Sequence, residues 1–317
     1  MAFAYSGRGL YSNLEDLIGN TPILKLKKIS KNAGNNIFAK LEFMNPSGSI
    51  KDRIVLRIIE SAEKRGVLKE GSLVVEATTG NTGISLAMIA KIKNYRAVLF
   101  IPAGTSGEKI EMMKSFGAEV VEVKGNMKKV IDVVKKYAEK NRAFLLNQFE
   151  NQGNVDAHKK TGEEIFKQMG GKIDVFAAGV GTGGTLIGVA KSLKKKIPNI
   201  RIAAVEPKEM PVFYSKFYKK RMEIGKTHSI EGIGEGFVSK ILDENMDLID
   251  DVILVSSKEA IRTTKLLAKE EGLFTGISSG ANIFAAIKLS KKIGKNKNIV
   301  TVLPDGGERY FSKKIFN

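Results

Sequence analysis

The sequence has no cysteine and only two histidines among its 317 residues. Without cysteine the chain forms neither disulfides nor thiolate metal sites. With His158 and His228 as the whole supply of imidazole, a histidine-rich metal site is not expected either. No apolar run reaches the roughly 18 residues of a membrane-spanning helix. These absences exclude the disulfide-stapled, zinc-binding and membrane-spanning classes of protein.

The remaining composition is that of a globular protein. Apolar residues make up 43% of the chain, which supports a full core, and the length suits two domains or one large one. Residues 1–9 lack the charged-then-apolar order of a signal peptide. We therefore expect a cytoplasmic protein.

The formal net charge of +18 raises the question of nucleic-acid binding. The lysines are mostly spread over helical segments, and the longest run is Lys194–Lys196. No nucleic-acid motif accompanies them, and aromatic residues make up only 7% of the chain. We expect no specific nucleic-acid partner, although the positive charge favours the approach of anionic ligands.

Short apolar runs alternate with longer helical patterns along the chain. The predicted strands are 37–41, 73–77, 97–101, 119–123, 144–147, 175–178, 202–205, 252–255 and 299–303. The predicted helices are 52–64, 82–93, 108–116, 127–140, 155–169, 185–195, 258–271 and 281–293. Such alternation indicates parallel sheets covered by helices. Nine strands favour two α/β subdomains with mainly parallel sheets and a cleft between them. The polar stretch 147–154 is the expected crossing point, and the irregular stretch 207–236 the expected mobile flap.

Lys51 lies in the segment Asn45–Arg53, NPSGSIKDR, where a turn-forming run meets the predicted start of a helix. A lysine held among serines and glycine at such a place can form a Schiff base with a carbonyl group. A solvated surface lysine is the alternative.

A polar loop, Thr78–Gly83 (TTGNTG), follows a predicted strand and opens a helix. The free N–H groups of a helix start bind anions, so the loop predicts a carboxylate or phosphate site. Ordinary helix capping by threonine or asparagine is the alternative. It needs one such residue rather than several in a row.

A glycine-rich loop, Gly179–Thr185 (GVGTGGT), also joins a strand to a helix and predicts a second anion site. Gly179, Gly181 and Gly184 match the dinucleotide fingerprint, and Glu206 stands near the end of the next strand. A nicotinamide cofactor therefore stays open at this point. The fingerprint lies past mid-chain, however, and leaves Lys51 without a role.

Two further turns are polar. Gly276–Ala281 precedes a predicted helix, and a serine within it either caps that helix or meets a ring nitrogen of a ligand. Pro304–Tyr310 follows the last predicted strand and by itself indicates only a polar turn.

Taken together, these segments resemble the fold type II pyridoxal-phosphate enzymes, in the group of cysteine synthase (O-acetylserine sulfhydrylase) and cystathionine β-synthase. The resemblance runs from Ile18–Pro22 to Gly307–Tyr310, with the motifs in the family's order. It implies a tryptophan synthase β-like fold with the active site between the two subdomains. It also implies a single catalytic unit over 1–317, with a smaller mobile subdomain near 45–150 and a larger cofactor-binding one formed by 1–44 and 151–317.

The resemblance assigns roles to named residues. Lys51 carries pyridoxal 5′-phosphate and acts as the catalytic base. The other cofactor-binding residues it implies are Asn81 at the 3′-oxygen, Ser278 at the pyridine nitrogen, and Gly181, Thr182, Gly183, Gly184 and Thr185 at the phosphate. The substrate-binding residues it implies are Thr78, Thr79, Gly80, Asn81, Thr82, Gln148, Glu231 and Gly232. No metal is implied.

The implied reaction is β-replacement on a β-substituted L-amino acid through an aminoacrylate, with O-acetyl-L-serine and sulfide giving L-cysteine and acetate. Ala77 and Thr79 stand where proline and serine are more usual, and Glu231 where many cysteine synthases carry glutamine. The nucleophile therefore stays open, with a cystathionine- or lanthionine-forming enzyme or a sulfide-producing cysteine β-lyase as the alternative. The resemblance further implies a homodimer and serine acetyltransferase as a partner.

Overall fold

A computed structural model describes residues 10–225 and 227–316 of the chain. Residues 1–9, for which no signal peptide was predicted, and Lys226, within the predicted flap, lie outside the described residues. Within the described ranges, no helix has the length and apolarity needed to cross a membrane.

The described residues form ten strands. They are β1 (Ile23–Lys25), β2 (Asn36–Leu41), β3 (Leu73–Ala77), β4 (Arg96–Pro102), β5 (Glu119–Val123), β6 (Phe144–Leu145), β7 (Val175–Gly179), β8 (Arg201–Pro207), β9 (Asp251–Val255) and β10 (Asn298–Leu303). Most of the central strands are apolar on both faces, as expected for parallel strands that helices cover from either side.

The same residues contain eleven α-helices. They are α1 (Lys27–Ala33), α2 (Lys51–Lys64), α3 (Asn81–Ile92), α4 (Gly107–Ser115), α5 (Met127–Asn141), α6 (Gln152–Gln168), α7 (Gly184–Lys196), α8 (Val212–Phe217), α9 (Lys240–Asp243), α10 (Ser257–Leu266) and α11 (Ile277–Ser290). A π-helical turn, Leu267–Glu271, extends α10. Short 3₁₀ segments occur at Leu14–Leu17, Glu42–Met44, Met246–Leu248 and Gly307–Lys313.

The strands form two sheets. The larger has the order β1-β2-β10-β7-β8-β9, and only the β1–β2 pair is antiparallel. The smaller has the order β5-β4-β3-β6 and is parallel throughout. The predicted fold class, two α/β units with mainly parallel sheets, is confirmed. The boundaries proposed near residues 45 and 150 stay a prediction, as does the mobility of the smaller unit.

The predicted strands and helices are all present, with ends that shift by a few residues. The sequence analysis missed β1, a three-residue edge strand, and the short helices α1, α8 and α9. The expected irregular flap at 207–236 is wrong in part, because α8 lies inside it. The buried Glu206 carboxylate explains this helix, since it accepts hydrogen bonds from the backbone N–H groups of Phe213 and Tyr214, both at 2.7 Å.

A buried ion network joins β2, α2 and α6 beneath the cleft. The Arg53 guanidinium contacts Glu42 and Glu164, each at 2.7 Å, and Lys40 contacts Glu164 at the same distance. Burial alone would raise the pKa of Glu42, but the adjacent Arg53 guanidinium holds it below its ordinary value. The network therefore fixes α2, whose first residue is Lys51, against the larger sheet.

We predict that Glu42→Gln lowers the free energy of unfolding by about 3 kcal/mol, the low end for breaking a buried ion pair. The Arg53 guanidinium then loses one of its two carboxylate partners and keeps Glu164. Urea unfolding at pH 7 measures the change. Glu270→Gln is the matched control, since Glu270 pairs with Lys28 on the surface at 3.3 Å, and the expected loss is at most about 1 kcal/mol.

The pH dependence of this difference has a definite sign. The pKa of Glu42 is lower in the folded state than in the unfolded one, so its contribution is present above the unfolded pKa, about 4.3. It disappears as the pH falls through the lower folded value. Equal stabilities of wild type and Glu42→Gln at pH 7 would show that the network contributes nothing net.

Candidate active site

The turn before Lys51 is organised by the neighbouring Asp52 carboxylate. This buried carboxylate accepts the Ser47 backbone N–H at 2.7 Å, the Ser47 hydroxyl, and the Ser85 hydroxyl at 2.5 Å. Ser85 lies on α3, so Asp52 ties two helices and the turn together. Lys51 is thereby held as the first residue of α2.

The Lys51 amine faces the cleft and makes no ion pair or hydrogen bond with the described part of the chain. Burial lowers its pKa from the ordinary lysine value, and the carboxylates of Glu235 and Asp305 only partly oppose that shift. A lower pKa means a larger neutral fraction, and the neutral amine is the form that attacks a carbonyl group.

The loop between β3 and α3 combines capping with free donors. The Thr78 hydroxyl accepts hydrogen bonds from the N–H groups of Gly80 and Gly83, at 3.0 and 3.1 Å. Capping therefore accounts for one threonine of this loop. The N–H groups of Thr79, Asn81 and Thr82 donate to no acceptor in the described residues, and all three residues line the cleft. Their donors are available to an anion.

Two side chains brace this loop. Thr82 donates its hydroxyl hydrogen to Gln148 Oε1 at 2.7 Å, and Gln148 Nε2 donates to the Ala77 carbonyl at 3.1 Å. Gly80 has φ +143°, and a Cβ there would collide with the Lys109 stem. The glycine is required because Lys109 passes directly behind the loop.

The glycine-rich loop between β7 and α7 forms the second anion site. The N–H groups of Gly181, Thr182 and Gly183 donate to no acceptor in the described ranges, and α7 begins at the next residue. A Cβ on Gly181 would lie 2.6 Å from the Gly232 carbonyl oxygen, and one on Gly184 would overlap Asn154. The loop thus presents backbone donors at close range, as phosphate binding needs.

Ser278 lies within the first turn of α11, which begins at Ile277, one residue after Gly276. The expected turn before this helix is therefore shorter than predicted, because Gly276–Ala281 is mostly helical. No side chain caps the helix at Gly276, so the capping interpretation of the serine is wrong. Ser278 lines the cleft at 4% exposure and can offer its hydroxyl to a ligand.

Two adjoining cavities occupy the cleft, with about 430 and 520 Å³ of space free of protein atoms. Lys51, Asn81, Thr182, Glu231 and Gly232 line both. The larger cavity is also lined by the glycine-rich loop and by Ser278. The smaller cavity is also lined by the polar loop before α3 and by Gln148. Every predicted site residue except Thr78, Gly80 and Gly184 lines one or both cavities. They meet at the carboxyl ends of strands, where α/β proteins bind ligands.

The larger cavity fits pyridoxal phosphate. At one side stands a lysine amine of lowered pKa for the aldehyde, and at another a cradle of free N–H groups for the phosphate. Ser278 lines the same cavity and could offer a neutral hydroxyl to the pyridine nitrogen. When bound, this cofactor withdraws electrons from the α-carbon of an amino acid attached to it.

The smaller cavity holds two carboxylates that the resemblance only partly anticipated. Glu231 pairs with Lys109 and Lys313, and these lysines hold its pKa below the ordinary value against the effect of burial. Burial raises the pKa of Glu235, although the nearby Lys51 opposes that shift. Glu235 has no hydrogen-bond partner within the described residues, so it remains available for proton transfer.

The position of Glu206 argues against binding of a nicotinamide dinucleotide. A ribose-binding acid must face the ligand, whereas the Glu206 carboxylate is 3% exposed and is occupied by two backbone N–H groups at the start of α8. Burial raises its pKa to about 7. This carboxylate has a structural role.

Comparison with known proteins decides the family. Residues 14–305 match the family described as pyridoxal-phosphate dependent enzyme. The chain belongs to this family. A cysteine synthase from Staphylococcus aureus is 44% identical over 309 residues, covering 96% of this chain and 97% of that protein. The predicted cofactor and the predicted enzyme class are thereby confirmed.

Solved structures give the same result. A cysteine synthase from Entamoeba histolytica superposes with a TM-score of 0.91 at 35% identity, covering 100% of this chain and 94% of that one. A hydrogen sulfide-producing enzyme from Fusobacterium nucleatum superposes with a TM-score of 0.88 at 39% identity, covering 95% and 98%. The resemblance to the cysteine synthase group is confirmed, whereas the residue roles stay proposals.

Sequence reasoning missed Lys109, Glu235 and the contacts of Asp305 and Arg309. Lys109 looks like any of the many lysines in the sequence, and its burial at 2% exposure is a tertiary property. Asp305 and Arg309 lie in the polar turn Pro304–Tyr310, for which the sequence predicts no specific role. Within the described ranges, no cluster of His, Asp and Glu is arranged to hold a metal ion.

We predict that Gly181→Ala weakens the binding of pyridoxal phosphate by about tenfold or more. The added Cβ would collide with the Gly232 carbonyl oxygen and displace the loop, and a cost of about 1.4 kcal/mol raises Kd tenfold. Absorbance titration of the cofactor-free protein measures the affinity. Gly107→Ala is the control, since a Cβ there meets no atom within 4 Å. Equal affinities of the two variants would remove this loop from the phosphate site.

Proposed function

We propose that the protein is a cysteine synthase, which converts O-acetyl-L-serine and sulfide into L-cysteine and acetate. The observation that carries the proposal is the arrangement around the larger cavity, where the Lys51 amine, the N–H groups of Gly181–Gly183 and the Ser278 hydroxyl surround one space. The sequence likeness to a cysteine synthase over nearly the whole chain supports the same activity.

The loop before α3, Lys51 and Ser278 have separate roles in this reaction. The loop N–H groups of Thr79, Asn81 and Thr82 bind the carboxylate of the amino acid, helped by the electrostatics of the α3 N-terminus. The Lys51 amine removes the proton from the α-carbon and later returns it. A neutral Ser278 at the ring nitrogen does not enforce its protonation, which favours prompt loss of the β-substituent over a long-lived carbanion.

Closure of the cleft would protect this chemistry from water. The two cavities lie between the loop before α3 and the loop before α7, so movement of the smaller unit would open or close both. We propose that the unit near 45–150 closes on the amino acid, which excludes water from the reacting β-carbon.

A sulfide-producing cysteine β-lyase is the second candidate. Glu235 favours it, because a carboxyl group whose pKa is raised by burial can give its proton to a departing thiolate. In that reaction the C–S bond of cysteine breaks, and the sulfur leaves as hydrogen sulfide with the proton from Glu235. The likeness to a sulfide-producing enzyme at 39% identity supports this candidate too. Cystathionine or lanthionine formation uses the same first half-reaction with a different thiol.

We further propose a cytoplasmic homodimer with serine acetyltransferase as a partner, as the resemblance to the cysteine synthase group implies. Sedimentation of the purified protein with and without an added serine acetyltransferase tests both points. A monomer at micromolar concentration would contradict the first, and unchanged sedimentation on mixing would contradict the second.

We predict that Lys51→Ala abolishes both turnover and covalent fixation of the cofactor. Borohydride reduction of the wild-type holoenzyme, followed by peptide mapping, is expected to find the pyridoxyl group on Lys51. Lys64→Ala is the matched control, since Lys64 is exposed at the other end of α2. Fixation on a different lysine would contradict the assignment.

We predict that Glu235→Gln separates the two candidate activities. Acetate is a good leaving group without a proton donor, whereas the sulfur of cysteine leaves faster when an acid protonates it as the C–S bond breaks. The variant should therefore release sulfide from cysteine about 10²-fold more slowly, or slower still. Synthesis of cysteine from O-acetyl-L-serine should fall by far less. The assay offers sulfide, homocysteine and cysteine in turn. Negligible sulfide release by the wild type would remove the second candidate.

A further inference from the structure

The segment after the last strand, Pro304–Tyr310, contacts both polar turns of the cofactor site. The Ile50 N–H donates to the Pro304 carbonyl at 2.8 Å, and Ser49 forms an isolated bridge with Asp305. The Gly276 N–H donates to the Asp305 carbonyl at 3.0 Å. The segment therefore lies between the turn of Lys51 and the start of α11, which carries Ser278.

Asp305 and Arg309 hold the Asn81 side chain from both ends. Asn81 Nδ2 donates to Asp305 Oδ2 at 2.7 Å, and Arg309 Nη1 donates to Asn81 Oδ1 at 2.8 Å. A carboxylate only accepts and a guanidinium only donates. If the amide were flipped, Asn81 Oδ1 would face the Asp305 carboxylate and Asn81 Nδ2 would face the Arg309 guanidinium, and neither pair could form a hydrogen bond. Asn81 is thus restricted to one orientation.

The same guanidinium reaches the turn of Lys51. Arg309 Nη2 donates to the Ser47 carbonyl, and Arg309 is 1% exposed. Gly48 makes room for it, since a Cβ on that glycine would lie 2.7 Å from Nη2. The planar Arg309 guanidinium therefore sets the distance between the Asn81 loop and the Lys51 turn. Asn81 lies 30 positions after Lys51 in the sequence.

Tyr310 completes the arrangement. Its hydroxyl donates to Asp305 Oδ2 at 2.7 Å. Burial and the Asp305 charge raise the pKa of Tyr310 well above its ordinary value, so it stays a donor at neutral pH. The Asp305 carboxylate thus keeps two donors, and its position depends on neither one alone.

We propose that Asp305 and Arg309 are positioning residues that fix the amide orientation of Asn81, so that the second N–H of its amide group faces the cofactor and the amino acid. This inference rests on the proposed function, in which Asn81 serves that site. Because Asn81 lines both cavities, an incorrect orientation would present an acceptor oxygen where a donor is needed.

The test is a double-mutant cycle on the holoenzyme. Asp305→Asn permits the amide flip, and Arg309→Lys keeps the charge but removes the fork. Each is made alone and together with Asn81→Ala. We measure the cofactor absorbance, its change on titration with L-cysteine, and kcat and KM for O-acetyl-L-serine. Glu270→Gln is the control, since Glu270 pairs with Lys28 on the surface and contacts none of Asn81, Asp305 and Arg309.

We expect Asp305→Asn and Arg309→Lys to weaken L-cysteine binding and raise KM by about 10- to 100-fold, the effect of one lost hydrogen bond to a charged group. In the Asn81→Ala background Asp305→Asn should have little further effect, because it acts through Asn81. Arg309→Lys should keep only the part of its effect that comes from the lost contact with the Ser47 carbonyl. Urea unfolding of each protein identifies a variant that merely fails to fold, and the other variant then completes the cycle.

The outcomes separate the inference from the proposed function. If wild type takes up the cofactor on Lys51 but the two changes have the same effect with and without Asn81, the inference is wrong and the proposed function stands. If both changes behave like Glu270→Gln, the inference is again wrong. If wild type takes up no cofactor, the proposed function fails, and the inference fails with it.

Discussion

The turn that carries Lys51 depends on one buried carboxylate. Burial raises the pKa of Asp52, and the hydrogen bonds from Ser47 and Ser85 oppose that shift. The same bonds close the turn and fix the start of α2. A lysine placed at that start by a rigid turn points into the cleft instead of into solvent. The position of the reactive amine, and therefore of everything around it, follows from this small set of contacts.

Charge is distributed around the cleft in a way that the net charge of the chain does not indicate. The protein is strongly basic, but carboxylates such as Glu231, Glu235 and Asp305 surround the Lys51 amine. A buried charge is costly unless it is paired. The pairs Lys109–Glu231 and Arg53–Glu164 meet this requirement, and they join segments 122 and 111 positions apart. Electrostatics thus serve here to join distant segments of the chain around the site.

The two cavities explain why one scaffold supports several reactions among its relatives. Under the proposed function, the larger cavity, with its backbone donors and a lysine, would hold the cofactor whatever the substrate. The smaller cavity is lined by side chains such as Lys109, Glu231 and Glu235, which differ in charge and protonation. Under the proposed function, the choice of leaving group and nucleophile would be a property of the smaller cavity. The match to the family settles the cofactor, and the side chains of this cavity would select the product.

Local patterns in the sequence were sufficient for the fold class and for the anion-binding loops. Strand and helix periodicity depends on neighbours in the chain, and a glycine-rich loop between a strand and a helix can present N–H groups whatever surrounds it. Hence the nine predicted strands and the loops at Thr78–Thr82 and Gly181–Thr185 are all present. Short elements such as β1 and α8 were missed, because tertiary contacts stabilise them. For α8 this contact is the buried Glu206 carboxylate.

Other features depend on partners that only the folded chain brings together. Asn81 meets Asp305 across 224 positions of sequence, and Arg309 meets Ser47 across 262. No periodicity or spacing encodes such pairs, because each arises from the packing of two sheets with their carboxyl ends at one cleft. The sequence by itself determined the fold class, and it predicted the lysine and the two loops that the structure brings to one cleft. The tertiary structure decided which charges are buried, which are paired and how Asn81 is oriented, since burial and pairing depend on distance in space and not along the chain.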